Sequence, residues 1–115
     1  MKSFYYAIKG LAEAFSTQVN FKIHCLAAVI VLTTGYLTGI SFTEWAILLL
    51  CIGLVMITEL INTALEYLVN MVSPKYNEIA GKVKDIGAGA VLVAAIVSIL
   101  IGTIILLPKI IKVLF

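Results

Sequence analysis

Glu59, Asn62 and Glu66 stand in the run Ile57-Thr58-Glu59-Leu60-Ile61-Asn62-Thr63-Ala64-Leu65-Glu66, otherwise built from apolar and small residues. Their spacing of i, i+3, i+7 puts all three on one face of a helix. Asn70 extends that face within an arc of about 80°. Two carboxylates and amides in such a setting suit proton abstraction, divalent-cation binding or proton relay. A carboxylate at membrane depth costs about 2.5 kcal/mol or more on insertion scales, so such residues are kept for function. Glu59 and Glu66 lie about 10 Å apart along the helix axis, too far to grip one ion together. Their roles therefore divide by depth. Glu66, nearer the aqueous edge, suits a hydrated magnesium ion, which uses one or two carboxylates plus substrate phosphates. Glu59 lies deeper, away from bulk water, where a carboxylate suits the role of a general base. Asn62, between them, can orient the base or a phosphate oxygen.

The elements that position this stripe are membrane helices. The 115-residue chain is 63% hydrophobic and 12% charged, against about a quarter charged in soluble domains. Cys25–Thr43 and Ile86–Pro108 carry no formal charge, and Trp45–Val72 carries only Glu59 and Glu66. Each stretch approaches or exceeds the ~20 residues that cross ~30 Å of hydrocarbon. The expected fold is an all-α membrane protein forming one domain over residues 1–115. It comprises a surface helix over 1–20 and spans over 23–40, 45–72 and 86–107. Met1–Phe15 shows no continuous apolar core of the signal-peptide kind. Instead Phe4, Ile8, Leu11 and Phe15 recur at helical spacing opposite Lys2, Lys9 and Glu13, the pattern of a helix lying in the membrane surface.

Lys2, Lys9, Lys22, Lys75, Lys82 and Lys84 flank one side of the spans, and Lys109 and Lys112 the other. That bias puts the N-terminus and the polar 73–85 loop in the cytoplasm. Ser73-Pro74 ends the second span, and Pro108 is expected to close the third. Ala90, Ala94, Ser98 and Gly102 form a small-residue stripe that lets another helix approach. Three spans and one surface helix leave part of the polar face facing lipid unless another protomer covers it, so a homo-oligomer with shared sites is expected. Cys25 and Cys51 read as packing residues, and so does His24 at the start of the first span.

Lys84-Asp85 places a cation and an acceptor at the cytoplasmic edge, suited to phosphate but equally to snorkelling. No GxxxxGK[ST], GxSxG or HExxH run occurs, which removes the P-loop and the common hydrolase classes. Taken alone, these residues fit an interfacial membrane enzyme performing phosphoryl transfer or a small proton or cation carrier. A scaffold protein would have no use for the glutamates.

Three stretches resemble one known family. Glu59-Leu-Ile-Asn62-Thr63-Ala64-Leu-Glu66 matches E-x-x-N-[ST]-A-[IL]-E, Gly81-Lys82-Val83-Lys84-Asp85 matches G-x-x-K-D, and Tyr6-Ala-Ile-Lys9-Gly10-Leu11 matches Y-x-x-K-G-L. In that order among three spans, the chain resembles the small bacterial integral-membrane lipid kinases, comprising diacylglycerol kinase and undecaprenol kinase. The resemblance implies a multi-pass protein of the bacterial inner membrane that phosphorylates a lipid alcohol with MgATP. Glu59 would be the base, supported by Asn62, and Glu66 would hold Mg2+. Tyr6, Lys75, Tyr76, Asn77, Lys84 and Asp85 would contact the nucleotide. The family's homotrimers with composite sites agree with the expectation of shared sites. Diacylglycerol stands first as acceptor and undecaprenol second, the latter favoured by Asn20-Phe21-Lys22-Ile23-His24. One departure is clear: Gln18 occupies the place of a second metal-binding glutamate, and an amide oxygen there brings no charge.

Overall fold

The computed structural model describes residues 2–115, and all of its regular structure there is helical. Helix α1 spans Lys2–Thr17, α2 Val19–Thr38, α3 Phe42–Val72 and α4 Glu78–Leu114. The last three are long and apolar enough to cross a membrane. Helix α3 packs chiefly against α4, with α2 laid against both and α1 against α2 and α3.

The joints are set by local chemistry. Gly39 ends α2 in the left-handed region (φ 66°), and its N–H donates to Gly35 O; only glycine enters that region without a Cβ penalty. Ser41 then opens α3 with a capping box: its hydroxyl accepts from Glu44 N at 3.2 Å, and Glu44 Oε1 accepts from Ser41 N at 2.9 Å. Asn77 caps α4 by accepting from Ile79 N and Ala80 N.

Two expectations need correction. The polar segment after Ser73 is a loop only as far as Asn77, and residues 78–85 are the opening turns of α4. Their polarity marks exposure to water, and the Asn77 cap starts a helix there regardless. Pro108 also does not end the helix of the third span: α4 runs through it to Leu114. Proline removes one backbone donor and crowds the preceding turn, and helices in membranes accommodate that loss.

Ile40, Leu48, Ile105 and Leu106 form a buried cluster with Val31, Trp45, Ile101 and Ile110 packed on it. At the same end of the bundle, Lys109 Nζ lies 3.7 Å from Glu44 Oε1. Ser98 of the small-residue stripe donates to Cys51 O at 3.2 Å, so α4 meets α3 at that point of the stripe. Elsewhere Leu26, Val29, Leu50, Val93, Ile99 and Ile104 face outward, a surface suited to lipid.

Helix α1 forms where its amphipathic pattern predicts. Between α1 and α3 lies an open groove lined by Ala7, Gly10, Leu11 and Ala14 on one side and Leu60, Thr63, Ala64 and Tyr67 on the other. Phe4, Ile8 and Phe15 stay exposed.

Candidate active site

The α3 stripe becomes a polar track between helices. At its deep end Glu59 is only 4% exposed, and Thr63 Oγ1 donates to its backbone carbonyl at 2.9 Å. The carboxylate faces α2, where His24 Nε2 lies 3.6 Å from Oε2. One turn on, Asn62 is buried and donates from Nδ2 to Glu66 Oε1 at 3.1 Å. Glu66 itself is half-buried. At the outer end, Lys84 Nζ donates to Asn70 Oδ1, which brings the α4 cation to the α3 stripe. From Glu59 to Asn70 the track runs about 16 Å along α3.

Asn62 Oδ1 is buried without a hydrogen-bond partner. It abuts Gly87 of α4: a Cβ there would overlap Oδ1 and lie 3.1 Å from Leu65 Cδ2. Gly87 therefore lets α4 close over Asn62. With Nδ2 committed to Glu66, the amide holds that carboxylate in place. Sequence reasoning missed Gly87, although its place two residues after Asp85 could have drawn attention to it.

The expected nucleotide contacts fall into two groups. Lys84 is half-buried beside Asn70, and Asp85 next to it is exposed. Lys75 and Tyr76 lie exposed in the short connection before α4, with Tyr76 beside Gly81. Asn77 shares that connection, but its Oδ1 is engaged as the helix cap. Tyr6, on the exposed side of α1, meets Tyr5 edge-on, with ring centroids 5.3 Å apart. The structure does not join Tyr6 to the α3 track.

Gln18, at the joint between α1 and α2, donates from Nε2 to Thr17 Oγ1 at 3.2 Å. Nearby, Tyr67 OH donates to Glu13 Oε2 at 3.2 Å, tying α1 to α3 one residue past Glu66. Among the described residues no group of three or more His, Cys, Asp or Glu could hold a metal ion. One carboxylate braced by an amide fits magnesium that arrives with a nucleotide, since phosphates and water then supply the other ligands. His24, expected to be a packing residue, is instead the described polar neighbour of Glu59. It also lines an apolar groove of about 440 Å³ between α2, α3 and α4, with Val31, Leu48, Val55 and Leu106 among its walls.

Comparisons with known proteins identify relatives of the chain. Residues 5–106 match the family model for prokaryotic diacylglycerol kinase. An undecaprenol kinase of Bacillus subtilis (strain 168) is 44% identical over 108 residues, covering 94% of this chain and 88% of that one. A diacylglycerol kinase of Synechocystis is 45% identical over 111 residues, covering 96% of this chain but 63% of its relative. The diacylglycerol kinase of Escherichia coli (strain K12) is 31% identical over 101 residues, 88% of this chain and 83% of that one. A match across most of the chain, on a fold of three apolar helices, establishes that it belongs to the prokaryotic diacylglycerol kinase family.

Proposed function

We propose that this protein transfers the γ-phosphate of ATP to the hydroxyl of a membrane lipid alcohol, at the cytoplasmic face of a bacterial inner membrane. The observation that carries this reading is the polar track on α3. It has a buried carboxylate at its deep end, a half-buried braced one in the middle and a lysine at its aqueous end. A lipid hydroxyl reaches the deep end from the bilayer, and a nucleotide reaches the other from water. A carrier would leave Lys84-Asp85 without a role.

Glu59 accepts the hydroxyl proton as the alcohol oxygen attacks the γ-phosphorus. The bond from that phosphorus to the bridging oxygen breaks, and ADP leaves. Glu66, held by Asn62, would hold the magnesium of MgATP, which would supply positive charge to the phosphates. Lys84 supplies a further cation to the phosphates, and Asp85, Tyr76 and Lys75 contact the rest of the nucleotide. Positioning and charge neutralisation provide most of the rate enhancement in phosphoryl transfer. The single chain leaves Lys75, Tyr76 and Tyr6 open to water, so a homotrimer with sites completed between protomers fits best. The lysine bias supports a cytoplasmic N-terminus.

Two acceptors suit this site. The motifs around Glu59, Glu66 and Lys84 serve phosphate chemistry and do not separate them. Asn20-Phe21-Lys22-Ile23-His24 and the near-full-length similarity to the Bacillus subtilis relative favour undecaprenol over diacylglycerol, the first choice from sequence. The test offers each alcohol separately in mixed micelles with labelled ATP and magnesium. Label on undecaprenol supports the preferred acceptor, and label on diacylglycerol alone reverses the order. Label on neither, from folded protein, overturns the lipid-kinase reading.

A further inference from the structure

A buried carboxylate is costly unless a partner offsets its lost hydration. Glu59 is such a group, and the polar side chains around it are mostly engaged elsewhere. On α3, the Asn62 amide donates to Glu66, and the Thr63 hydroxyl donates to a backbone carbonyl. On α4, Lys84 serves Asn70, Ser98 serves Cys51 O, and Asp85 is exposed. On α1, Glu13 accepts from Tyr67. On α2 there is His24, with Nε2 3.6 Å from Glu59 Oε2.

We infer that His24 is a positioning residue for Glu59: its imidazole Nε2–H orients the buried carboxylate toward the incoming alcohol. The inference rests on the reading of Glu59 as the base. At 3.6 Å the contact is longer than a hydrogen bond, and catalytic contacts of this kind often tighten only when substrate is bound. The second face of the ring points the same way. His24 lines the apolar groove between α2, α3 and α4, so it stands where hydrocarbon surroundings give way to the carboxylate. An alcohol arriving from the hydrocarbon meets the imidazole and Glu59 together. The imidazole fixes which carboxylate oxygen points at the hydroxyl, while Glu59 takes the proton.

The test compares His24→Phe, which keeps a ring in the groove but removes the donor, with His24→Gln, which keeps a donor at similar reach. A hydrogen bond to a charged group lost in this way lowers kcat about ten- to hundredfold. His24→Phe should show that drop with KM for MgATP and for lipid unchanged, and His24→Gln should recover most of it. A packing role predicts the reverse order, with Phe tolerated and Gln worse, and that result would overturn the inference. Should His24→Phe fail to fold, His24→Leu carries the same contrast. Glu59→Gln is measured alongside. If it is inactive while His24→Phe works at the full rate, only the His24 inference fails. If Glu59→Gln is itself active, the base assignment falls and His24 with it.

Discussion

Replacing Gly87 with alanine would push a methyl group into Asn62 Oδ1 and set it 3.1 Å from Leu65 Cδ2. Leu65 can turn its side chain, but Asn62 is buried and tied by Nδ2 to Glu66 Oε1 at 3.1 Å. The amide must swing aside, and Glu66 loses its brace. Overpacking of this kind costs about 1–3 kcal/mol, and alanine's better helix propensity returns up to about 1 kcal/mol. Net stability should therefore fall by only about 0–2 kcal/mol. The lost hydrogen bond to a carboxylate is worth about 1.5–3 kcal/mol, or roughly ten- to hundredfold in rate. The assay is steady-state phosphate transfer in mixed micelles, with thermal unfolding in detergent as the companion measurement. Gly89→Ala serves as control, because nothing lies within 4 Å of its Cβ position, and it should be near neutral. The double variant Gly87→Ala/Asn62→Ala removes the overlap, so it should be no slower than Asn62→Ala alone, a non-additive result. Full activity in Gly87→Ala, or losses that simply add, would refute the coupling between α4 and Asn62.

Glu66→Gln should raise the magnesium concentration needed for half-maximal rate, and an unchanged magnesium titration would remove Glu66 from metal binding. Gln18→Glu should lower the magnesium requirement by returning a charge to the joint between α1 and α2; no change would mean that Gln18 lies outside the site. Glu59→Gln should abolish transfer while leaving the elution volume in gel filtration unchanged, and turnover near the unmodified rate would exclude Glu59 as the base.

Much of this architecture was legible because membrane helices announce themselves by length and apolarity. The Glu59–Asn62–Glu66 stripe followed from helical period alone. Residues 78–85 were misread as loop because polarity there reports water, whereas the Asn77 cap decides the helix. Pro108 was read as a stop, yet the helix continues through it to Leu114. The contacts of His24 with Glu59 and of Gly87 with Asn62 join different helices. No spacing along one helix encodes them. His24 looked like an interfacial packing residue because one face of its ring does line an apolar groove. The side that matters for Glu59 appears only when α2 and α3 are laid together.

The most direct test of the central claim follows labelled phosphate from ATP onto lipid, with Glu59→Gln as the blank and magnesium present or withheld. The account predicts labelled lipid with the unmodified protein and magnesium, and none from the blank or without the metal. Equal labelling by Glu59→Gln, or proton flux in liposomes with no transfer to any lipid alcohol, would contradict it.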